Sequence, residues 1–208
     1  NFLKPVLGLE FTATPKSTNN VIYAYDLARG AVEGYLKTPV VMGRSNMAGY
    51  SAEDIEEMKI RDGLTLHEHR KGVIRQFCDD QALPYVKPIV LIACRDTNHA
   101  KEVRALIDSD NFLNGKYKGK VIEIHSNMKG DESEENIRLL LSIENAQNPV
   151  EIVLHVYKLK EGWDVNNLFT IIPLNAAKSD ILATQTIGRG LRLPFGQATG
   201  NEDIDTLD

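Results

Sequence analysis

The chain has 208 residues, 42% of them hydrophobic, which is enough for one sizeable core. Basic residues number 24 against 29 acidic ones, a formal net charge of -5, so a uniformly basic nucleic-acid-binding surface is excluded while a local basic groove is not. Cys78 and Cys94 are too few for a disulfide framework or a metal site and fit a reducing compartment. No apolar run reaches membrane-spanning length and no signal peptide is visible, so the expected location is cytoplasmic, with no membrane partner.

In chain order, Val6 to Phe11 reads as a short apolar strand ending in Thr12-Ala13-Thr14-Pro15-Lys16. Pro15 stops ladder pairing and pushes Thr14 into an extended conformation. The chain begins at Asn1, beside this strand, as expected of a piece of a longer protein. A helix starting near Asn20 carries Tyr23, Leu27 and Ala31, and Lys37 to Met42 is extended around Pro39. Ser51-Ala52-Glu53-Asp54 has the form of a capping box, with Asp in place of Glu or Gln, and opens a helix through Lys59. A second helix is expected from Leu66 to Gln81, with Leu66, Val73, Ile74 and Phe77 facing inward. Leu83 to Pro88 is a proline-punctuated linker.

From Lys87 the pattern becomes regular. Ile89-Val90-Leu91-Ile92-Ala93 is a continuous apolar run, as buried parallel strands are. A helix is expected from Asn98 to Ile107, capped by Thr97. A strand at Val121 to His125, a helix near Ser133 to Ile143, and strands at Ile152 to Val156 and Leu168 to Ile172 follow. Strands alternating with helices at this spacing predict right-handed βαβ units and a mostly parallel sheet covered on both faces. Ligands in such folds gather at the carboxyl ends of the strands.

The most unusual stretch is Gln185-Thr186-Ile187-Gly188-Arg189-Gly190-Leu191-Arg192-Leu193-Pro194. Ser179 can cap a helix whose first residue is Asp180. Helical spacing then puts Gln185, Arg189 and Arg192 on one face, with Ala183, Ile187 and Leu191 on the other. Neither arginine has an acid three or four residues before it. Gly188 and Gly190 each cost a helix about 1 kcal/mol relative to alanine, so they suit close approach rather than helicity. An anion bound between two guanidinium forks would account for the pattern. The plain alternative is a surface helix with two solvated arginines.

Other segments offer weaker chemistry. Lys158 to Val165 lies at the carboxyl end of a strand, where Gly162 allows a tight turn and Asp164 supplies an acceptor. Arg95-Asp96-Thr97 and His125-Ser126-Asn127 follow strands and could meet phosphate oxygens, although such loops are polar in most α/β proteins. Asn114 to Lys120 is basic, and more a solvated tip than a nucleic-acid finger. It shares letters with a phosphate-binding loop but is one residue short and lacks the Ser/Thr that would hold Mg²⁺. His67 and His69 do not face each other on a helix, so no metal pair is expected. Glu57-Met58-Lys59 has the letters of a nuclease motif but falls on a helix.

The stretch Gln185 to Pro194 resembles motif VI of superfamily 2 helicases. Glu161-Gly162-Trp163-Asp164 resembles motif V, and Thr12-Ala13-Thr14 resembles motif III. The forms of the first two look most like the restriction subunit of type III restriction enzymes. That resemblance implies a RecA-like three-layer α/β domain of the P-loop NTPase class, the C-terminal motor domain of a helicase. Residues 1–16 would be the tail of the first motor domain, 17–86 a linker and helical segment, and 87–208 the second motor domain. Arg189 and Arg192 would complete an ATP site and Gln185 would orient the γ-phosphate or attacking water. Gly162, Asp164 and Gly188 would lie at the nucleotide, with Gly162 and Asp164 coupling it to DNA. Thr12 and Thr14 would serve coupling, and Arg95, Thr97, His125 and Ser126 would touch nucleic acid. ATP and Mg²⁺ are the implied cofactors, held mainly by the first motor domain, because this sequence has neither a phosphate-binding loop nor an Asp-Glu-x-His element. Double-stranded DNA and a DNA-methylating modification subunit are the implied partners. A repair or remodelling helicase without a nuclease, and a non-catalytic scaffold domain, are the alternatives.

Overall fold

The computed structural model describes residues 8–9, 11–12, 18–125, 131–156, 163, 165–174 and 187–208. The expected Ser179 cap with Asp180, Gln185, Gly162, Asp164, Thr14, Ser126 and Asn127 lie outside the described residues. The expected first strand is not borne out where it can be seen. Gly8, Leu9, Phe11 and Thr12 carry no strand pairing, and Leu9 and Phe11 are 70% and 97% exposed. Apolar letters alone do not make a strand without a neighbour to complete its hydrogen bonds.

Helix α1 spans Leu27–Val32 and starts later than Asn20, because Asp26 caps it by accepting from the Arg29 amide. Strand β1 is the short pair Thr38–Pro39. Helix α2 runs unbroken over Ala52–Asp80, 29 residues, from the expected capping box at Ser51 and Asp54. The two helices expected here are one. Its buried line is Ile60, Leu64, His67, Arg70, Ile74 and Cys78, a single stripe at helical spacing. Leu66, Val73 and Phe77 only flank it. The stripe was disguised because two of its members are polar and paired inside. Gly63 sits within the helix so that it can press on the sheet, since a Cβ there would lie 2.7 Å from Cγ1 of Ile172.

The main sheet follows the alternating pattern closely. Strands β2 (Ile89–Cys94), β3 (Val121–Ile124), β4 (Ile152–Val156) and β5 (Leu168–Pro173) pair in the order β3-β4-β2-β5. Every pairing is parallel. Helix α3 covers Thr97–Ile107 and α4 covers Asp131–Leu141. The α3 cap is Asp96, whose carboxylate accepts from the amides of Asn98 and His99, so Thr97 is the first helical residue rather than the cap. One charged oxygen, Asp96 Oδ1, takes both orphan amides at 2.9 Å. Strand β6 (Thr206–Leu207) pairs with β1 in parallel. The Asp208 amide donates to Phe169 O at 2.9 Å and its carbonyl accepts from Ile171 N at 2.8 Å, which joins this small sheet to β5.

Helices pack on both faces, giving the three-layer α/β arrangement, which is consistent with a RecA-like domain. On one face, Ile60 and Leu64 of α2 and Ala100, Val103 and Ile107 of α3 meet Val90, Ile92, Ile152 and Leu154. On the other, Leu140, Ile143 and Trp163 meet Leu91, Ile122, Ile124 and Val153. Burying each such large aliphatic side chain contributes about 1.5–3 kcal/mol, which outweighs the weak local preferences of these segments.

Lys37 fastens β1 to this core. It is fully buried, its Nζ donates to Leu168 O at 2.7 Å and lies 3.8 Å from the centroid of the Phe169 ring. Burial, and then the charge of Arg70, pull its pKa down to about 7, against the opposing pull of Asp205 and Asp208. Between that value and the ordinary lysine range the unfolded chain holds the proton more often than the native one. Stability contributed here therefore rises as pH rises from about 7, and is lowest where both states are charged. Urea unfolding from pH 6 to pH 9 should show the wild type gaining on Lys37→Met by roughly 1–3 kcal/mol. A pH-independent difference between the two would show that the buried amine keeps its proton throughout.

Candidate functional site

The carboxyl ends of the parallel strands bring several of the expected residues to one edge. After β2, the Arg95 guanidinium meets Glu56 of α2 at 2.6 Å. The Arg95 amide donates to His99 Nδ1 at 3.0 Å, so the ring hydrogen sits on Nε2, which meets Glu56 Oε1 at 2.6 Å. One glutamate thus fixes both the loop and the start of α3, and Arg95 carries a local counter-charge. Thr97 is half-buried in the first turn of α3. His125 follows β3 with a buried Nδ1 that has no hydrogen-bond partner.

Two more expected segments meet. Residues 187–190 are helical, and half-buried Arg189 donates through Nη1 to the carbonyl of Trp163. Trp163 is 6% exposed and packs into the α4 face of the core. A charged donor on a carbonyl makes a charge-assisted hydrogen bond. No carboxylate pairs with Arg189 among the described residues. Gly190 does serve close approach, because a Cβ there would lie 2.7 Å and 2.8 Å from the two methyls of Leu207. Gly188 does not, since a Cβ there would meet nothing within 4 Å. Arg192 departs from expectation. The helix ends at Gly190, so Arg192 lies in the following turn, exposed between buried Leu191 and Leu193. It shares a region with Arg189 but not a helical face. Ile187, placed on the face opposite the arginines, is 37% exposed. Thr12 is exposed.

A 59-residue stretch of the chain has relatives. It is 41% identical to the Res subunit of the type III restriction-modification enzyme EcoPI of Escherichia phage P1. The same figures, 41% over 59 residues, hold for the EcoP15I Res subunit of Escherichia coli. That stretch is 28% of this chain but only 6% of either relative, so the likeness is partial. No family model matches the chain.

Other charged clusters have structural explanations. Glu151 accepts from Lys71 at 2.8 Å and Lys120 at 2.7 Å and lies 3.2 Å from His67 Nε2. Burial raises its pKa, but those three contacts outweigh burial and hold it well below the usual range. Glu68 meets Lys116 at 2.6 Å and accepts from the Tyr117 hydroxyl at 2.7 Å. His67, Glu68 and Glu151 could offer ligand atoms within 4.8 Å of one another. Three ammonium groups already satisfy those carboxylates, which disfavours a divalent cation. The basic loop is neutralised too, with Lys118 on Asp110 at 2.9 Å, but it is not the solvated tip expected, because Tyr117 is fully buried in the core beside Ile60 and Leu64. No helix among the described residues is long and apolar enough to cross a membrane.

One residue at this edge escaped the sequence reading. His155 on β4 is 5% exposed, and neither ring nitrogen has a hydrogen-bond partner. The available signal was a lone histidine inside an otherwise apolar strand.

Proposed function

We propose that the chain is the second RecA-like motor domain of an ATP-dependent DNA translocase, the restriction subunit of a type III restriction system. In this reading residues 1–16 are the tail of the first motor domain, 17–86 a linker and helical segment, and 87–208 the second motor domain. The observation that carries it is the bond from Arg189 to the Trp163 carbonyl. It joins the two segments with the most specific resemblance, at the edge of a parallel sheet where ligands bind. The partial likeness to two Res subunits supports the same choice.

An anion fits the residues present. Arg189 spends one Nη hydrogen on Trp163, and the space beside Gly188 is open to backbone approach. ATP with Mg²⁺, when bound, supplies the transferable phosphoryl group. Arg189 and Arg192 hold its developing negative charge, Gln185 orients the γ-phosphate or a water, and Gly162 with Asp164 couple the site to DNA. Thr12 and Thr14 serve that coupling from the first motor domain. Arg95, Thr97, His125 and Ser126 contact the phosphates of duplex DNA without reading its sequence. A DNA-methylating modification subunit supplies sequence recognition.

The direct test is turnover by the 208-residue chain alone. Its sequence has no phosphate-binding loop and no Asp-Glu-x-His element, so it should not hydrolyse ATP, while a polypeptide that joins it to the first motor domain should do so faster with duplex DNA. Hydrolysis by the isolated chain that survives removal of contaminants would sink the assignment.

A further inference from the structure

We infer that Glu56 is an intramolecular competitor for DNA. It latches Arg95, and a backbone phosphate must take the guanidinium from it before that arginine can hold duplex. The inference rests on the reading that Arg95 meets duplex phosphates. Glu56 Oε2 lies 2.6 Å from Arg95 Nη1, and among the described residues this acid is the guanidinium's single partner. Asp96, the acid next in sequence, does not compete, because its Oδ1 already accepts from the amides of Asn98 and His99.

The two ends of the latch are held very differently. The other oxygen of Glu56 meets His99 Nε2 at 2.6 Å. His99 is 3% exposed and is itself fixed by the Arg95 amide on Nδ1 at 3.0 Å. Glu56 stands on α2, whose Ile60 and Leu64, one and two turns on, are fully buried against the sheet. The acid therefore stays in place. The Arg95 side chain, by contrast, is 52% exposed and commits a single N–H donor of its fork. An exposed ion pair with one contact is weak, and a phosphate offers the same guanidinium a two-pronged bond. Exchange is thus open to duplex, but it leaves Glu56 uncompensated beside the phosphates. The acid then takes back a cation for the one the phosphate releases, so the wild-type contact adds little to the salt dependence of binding.

The test is binding of a fluorescent duplex of arbitrary sequence to the 208-residue chain, followed over a range of salt. Glu56→Gln keeps an oxygen for His99 Nε2 but turns an amide N–H₂ toward Arg95, so the latch opens. It should bind about fivefold more tightly at low salt, with a salt slope steeper by about one phosphate contact. Glu57→Gln makes the same change in net charge one residue away, where Glu57 pairs with Arg61 at 2.7 Å, and should alter neither quantity. In an Arg95→Ala background the gain from Glu56→Gln should fall below about twofold. No gain in Glu56→Gln, an equal gain in Glu57→Gln, or an undiminished gain without Arg95 would each overturn the inference, as would the absence of any duplex binding. If Glu56→Gln does not fold, NMR of the wild-type chain decides. Saturating duplex should shift both the Arg95 guanidinium, assigned by its loss in Arg95→Lys, and the carboxyl carbon of Glu56. A shift at Arg95 alone means that it meets phosphate without leaving Glu56, and an unmoved Arg95 means that it meets none; either result overturns the latch. Failure of the motor reading is a separate result, read from duplex-stimulated hydrolysis in a polypeptide with both motor domains rather than from binding by this chain.

Discussion

On the motor reading proposed above, Arg192→Ala in a polypeptide with both motor domains should leave ATP affinity within a few fold and lower turnover by about 10³-fold; Arg189→Ala should do the same. The charge of each guanidinium matters most when negative charge spreads over the transferring phosphoryl group, so the loss appears in rate more than in binding. Arginine fingers are worth on the order of 10³–10⁵, and two residues sharing the task place each toward the lower end. The structure separates the two variants by stability. Arg192 is exposed in a turn, so its truncation should cost little. Arg189 gives up a charge-assisted bond to the Trp163 carbonyl, which should cost about 1.5–3 kcal/mol. Lysine should rescue neither well, because an ammonium keeps the charge without the planar fork. Near-normal turnover in both alanine variants would reduce the pair to structural and surface roles.

What the sequence made legible follows from which signals are local. The four main strands were readable because β2 is a continuous apolar run and β3, β4 and β5 are each broken by one polar residue only, Glu123, His155 and Thr170, as strands buried on both faces are. Helix α2 was misread because its inner stripe passes through His67 and Arg70, whose partners, Glu151 and Asp208, are far away in sequence. The same blindness hid Lys37: a lysine before Thr-Pro gives no hint that Leu168 and Phe169 will enclose it. Asp96 displaced Thr97 as a cap through local chemistry that the sequence did contain. At the site, the resemblance brought the Glu161 and Gln185 segments under suspicion together, but no periodicity could place Trp163 beneath Arg189. Arg192 was assigned to a face it does not share because Gly190 ends the helix against Leu207, a contact between chain segments.

The largest effect on stability is expected at Arg70. Its side chain is 7% exposed and that of Asp208 3%, and the two meet as a fork, Nε to Oδ2 at 2.6 Å and Nη2 to Oδ1 at 2.8 Å. Nη1 donates to the Asp203 carbonyl. Removing one partner leaves the other charged and buried, so Arg70→Met should lower unfolding free energy by about 3–5 kcal/mol. The exposed carboxylate of Asp203 adds little to this. The double variant Arg70→Met with Asp208→Leu should recover most of the loss, because apolar groups of similar size need no partner. Arg70→Lys should recover little, since it lacks the fork. The same pair clamps α2 to the chain that forms β6, and Leu207 of β6 is what Gly190 rests on. Loosening it should therefore also disorder the Arg189 helix, and Arg70→Met should lose turnover at temperatures well below its melting point. Urea midpoints for the three variants, with turnover measured alongside, decide both points. A loss under about 1 kcal/mol in Arg70→Met would mean that Asp208 escapes to solvent when its partner is gone.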